Sequence, residues 1–287
     1  MLQVARLSPR TLGESTELVA AFLRQQQAHD GGFVDRSGSS DLYYTVFGLD
    51  GLIAVHHDPP VSRLRAYLRS FDTGEGLDFV HLACLARAWA TISRSALPVP
   101  APALLSQIEA FRTPDGGYNP TPNAASGTAY GAFLAVGAYQ DLGAAVPGAS
   151  RLVHALELLR SLDGAYGNQP QMTHGQTSAT AAAVAVRRQL DAPLEESLIS
   201  WLLARLHPQG GFTAAPSVPV PDLLSTATAL HALATLQHPL DRIREVCLDF
   251  VDSLWTNRGG FYGHWADDHV DCEYTYYGLL ALGHLSV

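Results

Sequence analysis

Lysine is missing from this chain, so all eighteen of its basic residues are arginine, set against twenty-seven acidic ones for a formal charge of −9. Binding a nucleic-acid backbone needs clustered cations, so this balance excludes a nucleic-acid partner. It also removes the commonest point-charge ligand for a phosphate group. Cysteine is scarce, and Cys84, Cys247 and Cys272 form an odd number without C-x-x-C spacing, the pattern of reduced thiols in a reducing compartment. No eighteen apolar residues run uninterrupted, and MLQVARLSPRTLGEST lacks a basic leader followed by a long apolar stretch, so the expectation is a cytoplasmic protein. Charged residues make up only 16% and apolar ones 47%, which suits a globular chain with a large core.

What is abundant is repetition. A glycine turn, a polar stretch and an apolar segment recur in "HDGGFVDRSGSSDLYYTVFGLDGL", "TPDGGYNPTPNAASGTAYGAFLAVG", "LDGAYGNQPQMTHGQTSATAAAVAV", "HPQGGFTAAPSVPVPDLLSTATALHAL" and "NRGGFYGHWADDHVDCEYTYYGLLAL". A sixth, degenerate copy is "FDTGEGLDFVHLACLARAW". With Gly32, Gly76, Gly117, Gly164, Gly211 and Gly260 as markers, the steps are 44, 41, 47, 47 and 49 residues. Such a period marks a stacked-repeat architecture.

Segments such as "LVAAFLRQQ" and "LISWLLARL" precede the markers with apolar spacing near three and four, the period of an amphipathic helix. The segments that follow are Ala-rich and almost uncharged, which implies burial on nearly all sides. Each repeat therefore reads as outer helix, glycine turn, inner helix. An open superhelix keeps a polar concave face, whereas a ring of six pairs surrounds its inner helices with protein. The expected fold is all-α, an (α/α)6 toroid over residues 1–287 in a single domain, with a central cavity at the amino ends of the inner helices.

Glycine-aromatic turns followed by an inner helix with Thr near its start resemble those of the protein prenyltransferase β subunits and the squalene/hopene cyclases, over essentially the whole chain. "SGTAYGAF", "THGQTSAT", "VPDLLSTATAL" and "VDCEYTYYGLLALG" are similar, in the same chain order, to four prenyltransferase segments. For those enzymes the resemblance implies a zinc held by Asp, Cys and His, and the matching positions here are Asp222, Leu224 and Tyr274. A second register puts Asp271 and Glu273 in place of Asp and Cys, with Tyr44 where His belongs. Neither register completes the triad, so no metal site is expected, and zinc or magnesium is not the favoured cofactor. Of the groups that grip a diphosphate only His174 is present. The cyclases instead protonate an alkene or epoxide through the middle Asp of a D-x-D-D motif just before a Thr. "DCEYT" resembles that motif, with Asp271 at its first position and Glu273 at the proton donor.

The repeats supply an internal control. Four residues before the Thr-equivalent lie Asp41, Asp78, Ala124, Gln176, Asp222 and Asp271, and an Asp there reads as a helix N-cap, worth about 1 kcal/mol. Two residues before it lie Tyr43, Val80, Ser126, Ser178, Leu224 and Glu273, so the carboxylate of Glu273 is unique among them. Burial among aromatics would raise its pKa and the helix amino end would lower it. Cys272, between two carboxylates, reads as a poor nucleophile. His264, Asp267, Asp268 and His269 add donors for a divalent ion, in a spacing that matches no standard site.

These residues point to an enzyme that binds a hydrophobic, isoprenoid-derived substrate and moves a proton through Glu273 with Asp271. Tyr43, Tyr44, His81, Tyr130, His174, Trp265, Tyr274 and Tyr277 are the candidate substrate contacts, since aromatic faces steady a cation. Uptake of such a substrate brings contact with a membrane surface. The alternatives are a divergent prenyltransferase, which implies a helical partner subunit, and a non-catalytic toroid that binds a lipid or a protein.

Overall fold

In the computed structural model, which describes residues 1–93 and 101–287, the chain is mostly helical. It forms two compact units, Met1–Tyr67 with Leu202–Val287, and Leu68–Trp201. Two short helices, α1 (Leu2–Ala5) and α2 (Pro9–Leu12), come first. Six helix pairs follow, as the repeat predicts. They are α3 (Thr16–Gln25) with α4 (Leu42–Ala54), α5 (Val61–Arg69) with α6 (Phe79–Ile92), and α7 (Ala101–Glu109) with α8 (Ala129–Asp141). The remaining pairs are α9 (Ala149–Glu157) with α10 (Thr177–Gln189), α11 (Ser197–Leu203) with α12 (Leu223–Thr235), and α13 (Arg244–Ser253) with α14 (Cys272–Leu285). In the first unit α14 packs between α12 and α4 and is covered by α1. In the second, α8 packs between α6 and α10.

In five of the six pairs, all but α5 with α6, the turn is built around one aromatic ring. Phe33, Tyr118, Tyr166, Phe212 and Phe261 are fully buried and each bridges, backbone to backbone, a residue two or three past the end of its outer helix. The first and fifth turns extend this into two-residue ladders, β1 (Phe33–Val34) with β2 (Ser40–Asp41) and β3 (Phe212–Thr213) with β4 (Pro221–Asp222). Room for the ring comes from a small residue on the inner helix. A Cβ at Gly48 would sit 2.1 Å from the Phe33 ring, and one at Gly278 would sit 2.7 Å from that of Phe261.

A threonine latches turn to helix. Thr45, Thr226 and Thr275 donate to the carbonyl of their own cap residue at 2.6, 2.7 and 2.6 Å. The same hydroxyls accept the backbone N–H of Phe33, Phe212 and Phe261 at 2.9, 2.9 and 3.4 Å. Thr180 accepts from Tyr166 in the same way at 3.1 Å. Each buried N–H so satisfied avoids a desolvation cost of about 1–3 kcal/mol.

Asp41, Asp78, Asp222 and Asp271 are N-caps, each accepting from the amide three residues on. The third repeat corrects the expected register. Its cap is Thr128, not Ala124, because Thr128 Oγ1 accepts from Gly131 N while its own amide donates to the Tyr118 carbonyl. Thr128 thus occupies the Asp position, and Tyr130, not Ser126, corresponds to Glu273. The fourth cap, Gln176, makes no side-chain cap bond.

The first glycine of a pair meets the backbone of the next outer helix. A Cβ at Gly210, φ +87°, would lie 1.9 Å from the Val246 carbonyl oxygen of α13. One at Gly259 would lie 2.1 Å from the Leu18 carbonyl oxygen of α3, so the sixth turn docks on the first helix pair.

Two measurements test this architecture. Gly210→Ala carries backbone strain of about 1–3 kcal/mol plus the clash, whereas Gly38→Ala, at φ +85° with nothing within 4 Å, carries strain alone. Gly210→Ala should therefore lower Tm clearly more than Gly38→Ala in thermal melts. Gln176→Asp should supply the missing cap and raise stability by about 1 kcal/mol in denaturant titration.

Candidate active site

The site grows from the start of α14. Asp271 stands in extended backbone, φ −140° and ψ 176°, and its Oδ1 accepts from Tyr274 N at 2.8 Å. Its other oxygen accepts from Arg36 Nε at 2.7 Å. Arg36 comes from the β1–β2 hairpin, whose tip is fixed by Asp35 Oδ1 accepting from the amides of Ser37 and Ser39. The rest of the guanidinium is spent on Asp267, with Nη2 donating at 2.8 Å and Nη1 at 3.3 Å. Asp267 in turn accepts from the amides of Gly263 and His269, which ties down the loop before α14. Arg36 also lies over the Tyr274 ring, 5.3 Å from its centroid.

Two residues into α14, half-buried Glu273 accepts the Tyr43 hydroxyl at 2.6 Å through Oε1. Tyr43 sits at the corresponding position of α4. Burial pushes the Glu273 carboxyl up to about 7. The Tyr43 hydrogen bond lowers it, the Asp271 charge raises it and Arg36 lowers it. Burial outweighs the Tyr43 hydroxyl and Arg36, the two groups that lower it.

Rings continue from this carboxyl along both helices. Tyr43 meets Phe47 edge-on at 4.8 Å, Phe47 lies 5.5 Å from Tyr277, and Tyr277 lies 6.4 Å from Tyr274. Tyr44 adjoins Tyr43 at 5.7 Å. Burial, then neighbouring carboxylates, pushes the phenols of Tyr44 and Tyr274 to about 12, so both keep their protons at neutral pH. Tyr274 covers Gly263, where a Cβ would lie 2.6 Å from its ring. The arrangement offers a carboxyl group protonated near neutrality, set among π faces that suit a developing cation.

Of the residues singled out from sequence, Asp271, Glu273, Tyr43, Tyr44, Tyr274 and Tyr277 come together. Trp265 goes elsewhere: it is 41% exposed, donates from Nε1 to Ser253 Oγ at 2.9 Å and edges onto Phe250 of α13. Its loop swings out towards α13, whereas the apolar side chain of Val270 returns inward over Gly260. His81, Tyr130 and His174 belong to the second unit. His81 Nδ1 pairs with its own cap Asp78 at 2.8 Å, the Tyr130 amide donates to Asn168 at 3.0 Å, and exposed His174 faces Asp163 at 3.4 Å.

Arg36 and Phe47 were missed. A signal for Arg36 existed, because it is the one arginine in the stretches that run from a glycine turn to the cap of an inner helix. Phe47 had none, being one apolar residue of an apolar helix.

Metal and thiol chemistry find little support in the side chains. At the zinc-like positions Asp222 is engaged by the amide and hydroxyl of Ser225, both at 2.7 Å, Leu224 offers no donor atom, and the Tyr274 phenol keeps its proton. Asp267, Asp268 and His269 bring three donor atoms within 4.8 Å, but Asp267 is held by Arg36 and the other two are exposed and paired together. Burial, with Asp271 beside it, pushes the Cys272 thiol well above the ordinary range.

No curated protein matches the chain by sequence. Among solved structures, a variant of the type II terpene cyclase MstE from Scytonema, in complex with its substrate geranylgeranyl dihydroxybenzoate, is 15% identical. The match covers 97% of each chain with a TM-score of 0.64. The protein geranylgeranyltransferase-I of Candida albicans, complexed with GGPP, is 16% identical over 99% of this chain and 81% of its own, with a TM-score of 0.54. An alpha-1,6-mannanase from a Salegentibacter species is 13% identical over 95% and 98%, with a TM-score of 0.62. At such identities the likeness is one of fold, and the mannanase shows how varied the chemistry on that fold is. The model of the prenyltransferase alpha-alpha toroid domain matches residues 10–75, 79–207 and 179–286, and the chain belongs to that family.

Proposed function

We propose that this protein is an acid-initiated isoprenoid cyclase or isomerase, in which Glu273 donates a proton to an alkene or epoxide of a hydrophobic substrate. The observation that carries this reading is a half-buried carboxyl group raised to about 7 and hydrogen-bonded by Tyr43 within a cluster of aromatic rings. Fold likeness to terpene cyclases is consistent with it and does not establish it.

In the proposed step the Glu273 O–H bond breaks as a C–H bond forms on the substrate, leaving a carbocation and a carboxylate. Tyr43, already donating to Oε1, stabilises that carboxylate as it forms. Phe47 and Tyr277 offer their faces to the cation. Asp271, tied to Arg36 and to the Tyr274 amide, holds the first turn of α14 in place and acts as a positioning residue. The sequence ends when the cation gives up a proton to a base, so substrate and product are isomers. Transfer of a prenyl diphosphate is the weaker reading, because Arg36, the arginine beside the site among the described residues, is committed to Asp267 and Asp271.

Neutral isoprenoids and prenylated phenols incubated with the protein, with products resolved by gas chromatography and mass spectrometry, test the reading. Glu273→Gln should cost about 10²–10⁴-fold in turnover while retaining the fold by circular dichroism. Activity should be full at acid pH and fall as the pH rises through about 7, the value at which Glu273 loses its proton. A variant that keeps wild-type turnover would remove Glu273 from the chemistry.

A second measurement needs no substrate. A carboxyl raised in the folded state stabilises the fold below its ordinary value, 4.5, and that contribution is lost as the pH rises to about 7. The Tm of Glu273→Gln relative to wild type should therefore climb between those pH values and level off above them. A flat difference would contradict the burial of the charge.

A further inference from the structure

The reaction above requires a proton acceptor, and the helix that carries Glu273 also carries, near its other end, one of a pair of hydrogen-bonded imidazoles. Glu273, Tyr277 and His284 lie four and seven residues apart on α14, and eleven residues bring an α-helix back to nearly the same angle, ~16 Å further along its axis. His284 is 6% exposed, and its Nε2 lies 3.0 Å from His231 Nδ1. His231 is half-buried on α12, seven residues beyond Leu224, which is the counterpart of Glu273 in that repeat. Their rings stand 5.2 Å apart and tilted by 56°.

A hydrogen bond between two imidazole nitrogens needs one proton between them, so one ring donates and the other accepts. We infer that His231 is the base that ends the reaction, with its Nδ1–H donated to His284 and its Nε2 carrying the lone pair that takes the proton. This rests on the reading of Glu273 as the acid. Burial supports it, holding both rings neutral at ordinary pH, His231 lowered to about 3 and His284 to about 4. Weak basicity in water is no obstacle, because the proton beside a carbocation is far more acidic than an imidazolium.

The step balances. A C–H bond beside the cationic carbon breaks, its electron pair becomes the new C=C bond, and the proton goes to Nε2 of His231. Proton entry at Glu273 and exit at His231 leave substrate and product as isomers, and return of the proton through solvent resets both groups. The separation along α14 suits a cation that migrates as rings form, with Tyr277 one turn beyond Glu273 on the way to His284. His284 acts through His231 and is a positioning residue.

Nitrogen-15 NMR of the imidazoles in the full-length protein at pH 7, assigned with His231→Asn and His284→Asn, reads the tautomer directly. His231 should be neutral with its proton on Nδ1; a proton on Nε2, or a charged ring, overturns the proposal. In the product assay, His231→Phe should retain most of the wild-type consumption of substrate while the main alkene falls to a minor product and water-quenched alcohols or other alkenes replace it. His284→Asn should shift the products part of the way. An unchanged product from both His231→Phe and the smaller His231→Asn overturns the base. If Glu273→Gln stays active, the acid is wrong and the products of the His231 variants still judge the base. A wild-type protein that converts nothing from the panel removes both.

Discussion

The threonine latch is the interaction on which the amino ends of α4, α12 and α14 depend. One hydroxyl donates to the cap carbonyl and accepts the amide of the buried aromatic, so the helix start and the glycine turn cannot move apart without stranding a buried donor. Glycine against carbonyl then fixes the turn to its neighbour, and through Gly259 and Leu18 this reaches from the last pair to the first. These contacts place α14 beside α4. Only because of that can Tyr43, from the first repeat, donate to Glu273, from the last.

Electrostatics at Glu273 set three effects against one another. The amino end of a helix favours a carboxylate by about 0.3–1 kcal/mol, and the Tyr43 hydroxyl favours it as well. Burial opposes both and dominates. Arg36 touches Asp271 and Asp267 and leaves Glu273 to a phenol, so its charge lowers the carboxyl only slightly. Had the guanidinium paired with Glu273 directly, the carboxyl would stay ionised near neutrality and could not donate a proton.

Much of this was legible in the chain and some was not, for physical reasons. Glycine turns and helix pairs follow local rules of backbone conformation and fall where the spacing puts them, as do the caps Asp41, Asp78, Asp222 and Asp271. The third repeat was misread because Thr can stand either at the latch or at the cap, and only the bonds to Tyr118 and Gly131 separate the two roles. Glu273 stood out because the other five repeats have no carboxylate there. Arg36 did not, since its partners lie more than two hundred residues away. Trp265 was drawn towards the site by sequence proximity, but a loop that must tuck Val270 over Gly260 turns its neighbours outward.

The division of labour within the repeat explains why so little sequence likeness to characterised proteins is compatible with one fold. Cap, latch, buried aromatic and close glycine recur because backbone geometry demands them, and they carry no chemistry of their own. The residue two after the cap is free of those duties. In α4 it is Tyr43, in α12 Leu224 and in α14 Glu273, so the same helical address holds a hydrogen-bond donor, an apolar surface and an acid. His231 lies on the Leu224 side of α12, two turns on, and meets α14 at His284 on the Glu273 side. Chemistry on this scaffold is therefore written on a face the architecture leaves unconstrained, and a few exchanges along that face are enough to change the reaction while every turn stays intact.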